Sequence, residues 1–239
     1  MSIEMIPSPH GDMPAYVAHP EGEGPWPAVV VIHDVFGLGT DLKNQCEWLA
    51  SSGFLAIGPD LYHWGRKIGC VRSTIIDLRA RRGRAFDDIE AARSWITSDH
   101  HRCNGSVGVI GYCMGGGFSL LLAPGHGYAA SSVNYGEVPK DVDQLLVGAC
   151  PIIGSFGARD RQLAGAAIRL EEALCRNSVP HDVVEYPDAG HSFLNHHDGR
   201  PGVLMAVAGR LFSVGYHEPS AADARRRIVE FFDQHLRAN

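Results

Sequence analysis

A β-branched run, Val107-Gly108-Val109-Ile110, passes through Gly111-Tyr112-Cys113-Met114-Gly115 straight into an apolar stretch over 113–123. A strand that reverses into a helix within so few residues leaves little choice of architecture. The turn is tight, and side chains two positions either side of its apex would collide where strand and helix cross. Glycine at both positions meets that demand. Such a unit belongs to a sheet of parallel strands joined by helical crossovers.

The surrounding chain repeats the alternation. Apolar runs at 15–19, 28–33, 54–58, 107–110, 131–135, 152–157 and 182–186 read as strands. Stretches at 42–52, 83–98, 113–123, 164–176 and 221–236 carry apolar residues at helical spacing, with Gly53 placed to cap the first. The expected fold class is α/β: a single domain over 1–239 with a mostly parallel, doubly wound sheet flanked by helices. With 239 residues, 45% of them hydrophobic, the chain can build one large core, and no repeat or low-complexity linker divides it. Two stretches break the pattern. Residues 62–82 are rich in Gly and Arg, and 196–219 in Gly, His and Pro, with a short helix at 204–212 as an option. Long irregular segments act as lids or substrate loops, or are plain surface excursions, and both readings stay open.

Charge and cysteine usage narrow the classes further. Lys plus Arg total 21 against 27 for Asp plus Glu, a net charge of −6, which argues against a nucleic-acid partner. No basic segment followed by an apolar one opens the chain, and its most hydrophobic short run, 27–32, is far below the roughly 20 residues of a membrane span. The six cysteines at 46, 70, 103, 113, 150 and 175 show no zinc-pair or C-x-x-C spacing. Scattered thiols of this kind fit a reducing compartment, so the expected location is cytoplasmic.

Gly111-Tyr112-Cys113-Met114-Gly115 matches the G-x-S-x-G nucleophile elbow, with Cys in place of Ser. The turn sets Cys113 at a helix N-terminus, whose positive end favours thiolate. A nucleophile needs a base, and the base an orienting acid, in the order nucleophile, acid, His along this kind of chain. Asp160 lies just past the strand at 152–157, and His191 just past the strand at 182–186. Asp188 competes as a loop-stabilising carboxylate, while Asp141 and Asp143 precede the relevant strand. The N–H of Met114 and the N–H of Val35, in the loop after 28–33, are the candidate oxyanion donors. The pairs His100-His101 and His196-His197 do not have ligand spacing, so no metal is expected, and a chelator should leave activity unchanged. Arg225-Arg226-Arg227 reads as the solvated side of the last helix.

Six segments together resemble the dienelactone hydrolase family of the α/β-hydrolase fold, over nearly the whole chain. They are His33-Asp34-Val35-Phe36-Gly37, Pro59-Asp60-Leu61-Tyr62, Ala85-Phe86-Asp87-Asp88-Ile89, Gly111 through Gly116, Gly157 through Asp160, and Ala189-Gly190-His191-Ser192-Phe193. The resemblance implies Cys113 as nucleophile, His191 as base, Asp160 as its orienter, and Val35 and Met114 at the oxyanion hole. Two positions depart from the family's best-studied type. Where that type has a Glu that acts on the resting cysteine, this chain has Asp34, one methylene shorter and a candidate for modulating the thiolate. Where it has an Arg that binds a substrate carboxylate, this chain has Asn195. A second such Arg would fall among Arg66, Arg72, Arg79, Arg81, Arg82 and Arg84.

The expected function is cysteine-dependent hydrolysis of small carboxylic esters or lactones through a thioester, by a monomer or small homo-oligomer that needs no cofactor. Two other classes remain: a non-hydrolytic small-molecule binding protein on the same fold, and an acyltransferase in which an alcohol or thiol replaces water.

Overall fold

The structure, a computed structural model, describes residues 1–98, 102–197 and 215–237. Its strands are β1 (Ser2–Ser8), β2 (Gly11–Ala18), β3 (Trp26–Ile32), β4 (Leu55–Pro59), β5 (Cys103–Tyr112), β6 (Ala130–Asn134), β7 (Ile152–Gly157) and β8 (His181–Tyr186). They form one eight-stranded sheet in the order β1-β2-β4-β3-β5-β6-β7-β8. From β4 to β8 every pairing is parallel, and the β1–β2 hairpin adds to β4 antiparallel. This is the single-domain α/β sheet that the alternation of strands and helices implies.

The helices are α1 (Thr40–Ser51), α2 (Lys67–Ala80), α3 (Arg84–Ile96), α4 (Met114–Leu122), α5 (Val142–Leu145), α6 (Ala166–Arg176) and α7 (Glu218–Leu236). They cover both faces of the sheet, so the central strands are buried on both sides. Along β3, Val29 and Val31 face Leu42 and Leu49 of α1 and Ile228 and Phe232 of α7. The alternate residues Ala28, Val30 and Ile32 join Phe86 and Ile89 of α3 and Phe118 of α4. Burying each such side chain contributes about 1.5–3 kcal/mol. Among the described residues, no helix is long and apolar enough to cross a membrane.

The structure departs from the expected elements at three places. Residues 62–82 are not irregular: most of them form α2. Its signal is weak because only Cys70 and Thr74 are buried, Ile68 and Ile76 face solvent, and Val71, Thr74, Ile75 and Ile76 are poor helix formers. The hairpin begins well before residue 15; Pro7 lies on the edge strand β1, where a missing N–H is tolerated, and Pro14 precedes the first β2–β4 pair, Ala15 with Pro59. The Arg225-Arg226-Arg227 run is not simply solvated. Arg226 is exposed, but Arg227 is buried and bonds Asp182 and the Tyr186 hydroxyl. The optional helix at 204–212 and the His100-His101 pair lie outside the described residues.

Candidate active site

Six parallel strands end on one edge, and the loop after four of them carries a site residue. Cys113 is the N-cap of α4 with φ 56 and ψ −113, a conformation that non-glycine residues rarely hold. A Cβ on Gly111 would sit 1.8 Å from the Gly115 carbonyl oxygen, and one on Gly115 would sit 2.3 Å from the Ile32 carbonyl oxygen. The glycines of the elbow are therefore the condition for α4 to lie against β3 and β5.

The structure brings Cys113, His191 and Asp160 together. His191 Nδ1–H donates to Asp160 Oδ2 at 2.5 Å, and His191 Nε2 lies 3.1 Å from Cys113 Sγ. Asp160 is buried and its other oxygen accepts from the Gln162 N–H, so both oxygens are held. The competing carboxylates are engaged elsewhere: Asp188 with Arg159, Asp141 with Arg81, and Asp143 with Arg176. Tyr135, which follows β6, packs edge-on against the His191 ring at 5.3 Å.

Burial opposes charge on His191. The hydrogen bonds to Asp160 and Cys113, with the charges of those two groups, outweigh it and raise the imidazole from 6.5 to about 10. This shift favours a protonated ring at neutral pH, with Nε2–H directed at the sulfur. Substituting Cys113 removes two of the raising causes. We expect the His191 imidazole ¹⁵N shifts to report a protonated ring at pH 7 in the native protein, and a lower titration midpoint in Cys113→Ala. A neutral His191 at pH 7 in the native protein would contradict this arrangement. Because the folded-state value lies above the unfolded one, this group's contribution to stability is complete below pH 6.5 and disappears as pH rises through about 10.

The Val35 and Met114 N–H groups have no hydrogen-bond partner among the described residues. Met114 opens α4, where the first N–H groups lack an intrahelical acceptor. Val35 is freed by the turn around it, in which Asp34 Oδ1 accepts from the Phe36 N–H at 2.8 Å. His33 pins this loop to the next one. Its Nε2 accepts from the Leu61 N–H, so the proton sits on Nδ1 and is donated to the Asp34 carbonyl. Burial holds His33 below its ordinary range, which keeps it neutral for that double role.

Among the described residues, Asp34 makes no hydrogen bond to the Cys113 sulfur. Its second oxygen accepts from Asn195 Nδ2 at 3.1 Å, so the two positions that depart from the family pattern are partners of each other. Asn195 Oδ1 accepts from Gln45 Nε2, and Gln45 Oε1 from the Tyr112 hydroxyl. This buried chain links the loop that carries Val35, the segment after His191 and the residue before Cys113. No periodicity or motif marks Gln45 or Tyr112 for that task. The adjacent His197 ring lies between Asp41 and Asp34, at 3.5 and 3.8 Å. Of the six arginines near α2, Arg79 and Arg81 line a cleft with Leu78, Gly117 and Glu137, and Arg84 stacks over Trp64.

Sheet order and elbow define an enzyme of the α/β-hydrolase class. A model of the dienelactone hydrolase family matches residues 13–236, and the chain belongs to that family of ester and lactone hydrolases. It is 30% identical to a Salmonella typhimurium protein named "Putative carboxymethylenebutenolidase", over 98% of this chain and 87% of that one. A Pseudomonas putida carboxymethylenebutenolidase is 29% identical over 87% of this chain and 86% of its own length. Among solved structures, one titled "Putative Dienelactone Hydrolase" from Klebsiella pneumoniae superposes with a TM-score of 0.80 at 25% identity, covering 98% of each chain.

Proposed function

We propose that the enzyme hydrolyses small carboxylic esters or lactones by covalent catalysis at Cys113, through a thioester. The observation that carries this reading is the unbroken path from Asp160 to His191 to Cys113, at 2.5 and 3.1 Å, beside two unpaired N–H groups. The Cys113 thiolate attacks the substrate carbonyl carbon, and the resulting oxyanion lies between the Val35 and Met114 N–H groups. The imidazolium of His191 protonates the departing alkoxide as the C–O bond breaks, leaving acyl-Cys113. Neutral His191 then takes a proton from water, the hydroxide adds to the thioester, and thiolate leaves. Ester and water become acid and alcohol, and the ion pair is restored. Asp160 keeps the ring in register and stabilises its charge throughout.

Thiolate expels alkoxides and enolates readily but amines poorly, which favours activated esters and enol lactones over amides. With Asn195 spent on Asp34, that position offers no cation to a substrate carboxylate. Six free cysteines, including the one assigned as nucleophile, support a cytoplasmic setting.

The test is acid-quenched mass spectrometry during p-nitrophenyl acetate turnover. An acetyl group on Cys113, with acetate as the product even in the presence of a competing alcohol, is expected. Acetyl transferred to the alcohol would identify an acyltransferase. Turnover with no trapped adduct, or ligand binding with no turnover, would overturn the proposal.

A further inference from the structure

Away from the carboxyl edge, α6 and β8 bring together three side chains that the reaction does not use. Glu171 and Cys175 are four residues apart on α6 and share one helical face, and His181 is the first residue of β8. Cys175 Sγ lies 3.6 Å from His181 Nε2, which lies 3.3 Å from Glu171 Oε1. All three donor atoms fall within 4.8 Å of one another.

Those separations have a geometric meaning. Tetrahedral zinc, with bonds of about 2.3 Å to sulfur and about 2.0–2.2 Å to nitrogen and oxygen, sets S and N about 3.6 Å apart and N and O about 3.4 Å apart. The two separations that His181 Nε2 makes, 3.6 Å to sulfur and 3.3 Å to oxygen, match those values closely.

The surroundings agree. His181 Nδ1 is 2.7 Å from the Val179 carbonyl oxygen, so it carries the proton and donates it. The Nε2 lone pair is thereby turned toward Cys175 and Glu171, the orientation that ligating histidines owe to such a backbone contact. Glu171 Oε2 is buried and has no hydrogen-bond partner among the described residues. Cys175 is exposed, which leaves an approach path for an ion. A thiolate and a carboxylate supply two negative charges, and the thiolate–imidazole pair selects a borderline-soft divalent ion over Mg²⁺ or Ca²⁺.

We propose that Glu171, Cys175 and His181 form a zinc site, with water as the fourth ligand. Binding displaces the thiol proton to solvent, so affinity falls in acid. The ion ties the end of α6 to β8, which among the described residues pairs only with β7 and whose following loop carries His191. Sequence inspection for Cys–Cys and His–His spacings misses this set because it takes one residue of each kind.

Cobalt(II) titration of the Cys113→Ala protein tests the site without interference from the active-site thiol. We expect one cobalt per chain, a thiolate-to-metal charge-transfer band, displacement by zinc, and a zinc-dependent rise in Tm. Adding Cys175→Ser or His181→Gln should weaken binding at least on the order of 100-fold. With Cys113 intact, the same two substitutions should leave ester turnover unchanged. Absence of the band, or an undiminished band in the Cys175→Ser protein, would overturn the proposal. Cys175 is exposed, so that variant decides the matter even if His181→Gln does not fold.

Discussion

Cys113→Ala is expected to lower p-nitrophenyl acetate turnover by on the order of 10⁴-fold or more while leaving the circular dichroism spectrum unchanged. Removing the nucleophile from a triad costs nearly as much as removing the whole constellation, because the remaining members then have nothing to activate. What survives is the binding surface, the two N–H groups of Val35 and Met114, and a His191–Asp160 pair able to act on water alone. Without the sulfur the ring also loses its hydrogen bond to Cys113 and the charge of that group, both of which raise its pKa. The variant should therefore hold a more readily neutralised His191 and a slow, uncoupled hydrolysis. Turnover within about tenfold of the native rate, or ~1.4 kcal/mol of barrier, would rule out the covalent route.

Gly111→Ala should prevent folding, or destabilise the protein by more than about 4 kcal/mol, a large share of the roughly 5–15 kcal/mol that holds a domain together. The added methyl would meet the Gly115 carbonyl oxygen at 1.8 Å and the Gly116 nitrogen at 2.7 Å. Both are backbone atoms at the start of α4, and they can give way only if the helix leaves the sheet. Gly117→Ala is the control. The nearest atoms to its methyl would be those of the Leu78 side chain, at 3.2 Å and beyond, and a leucine can shift by tenths of an ångström. Thermal melts should separate the two variants widely. A Gly111→Ala protein that melts within a few degrees of the native one would mean that the elbow is not packed in this way.

Much of the site could be read from the chain because its requirements are local. A strand that must reverse into a helix needs glycine at 111 and 115, and Asp160 and His191 each follow a strand directly, so one alternating pattern carries all three reacting groups to the same edge. The central strands were equally legible, since burial on both faces makes them continuous apolar runs. α2 was not, because its exposed Ile68 and Ile76 blur the helical face. The β1–β2 hairpin is only partly legible, because prolines at 7 and 14 argue against a strand until Pro7 is known to lie on the edge strand and Pro14 ahead of the β2–β4 ladder.

The remaining features depend on distance through space. Asn195 and Asp34 are 161 residues apart, and Gln45 and Asn195 are 150 apart, yet they form one buried hydrogen-bonded chain. That pairing occupies the second Asp34 oxygen and makes the residue a holder of the loop that carries Val35. Likewise Glu171, Cys175 and His181 converge only because α6 packs beside β8. Backbone conformation and the order of elements follow from steric and hydrophobic rules acting within a few residues, and these are written along the chain. Which polar side chains share a buried space depends on how the layers stack, because an unpaired polar group in that space is costly and takes whichever partner the packing provides.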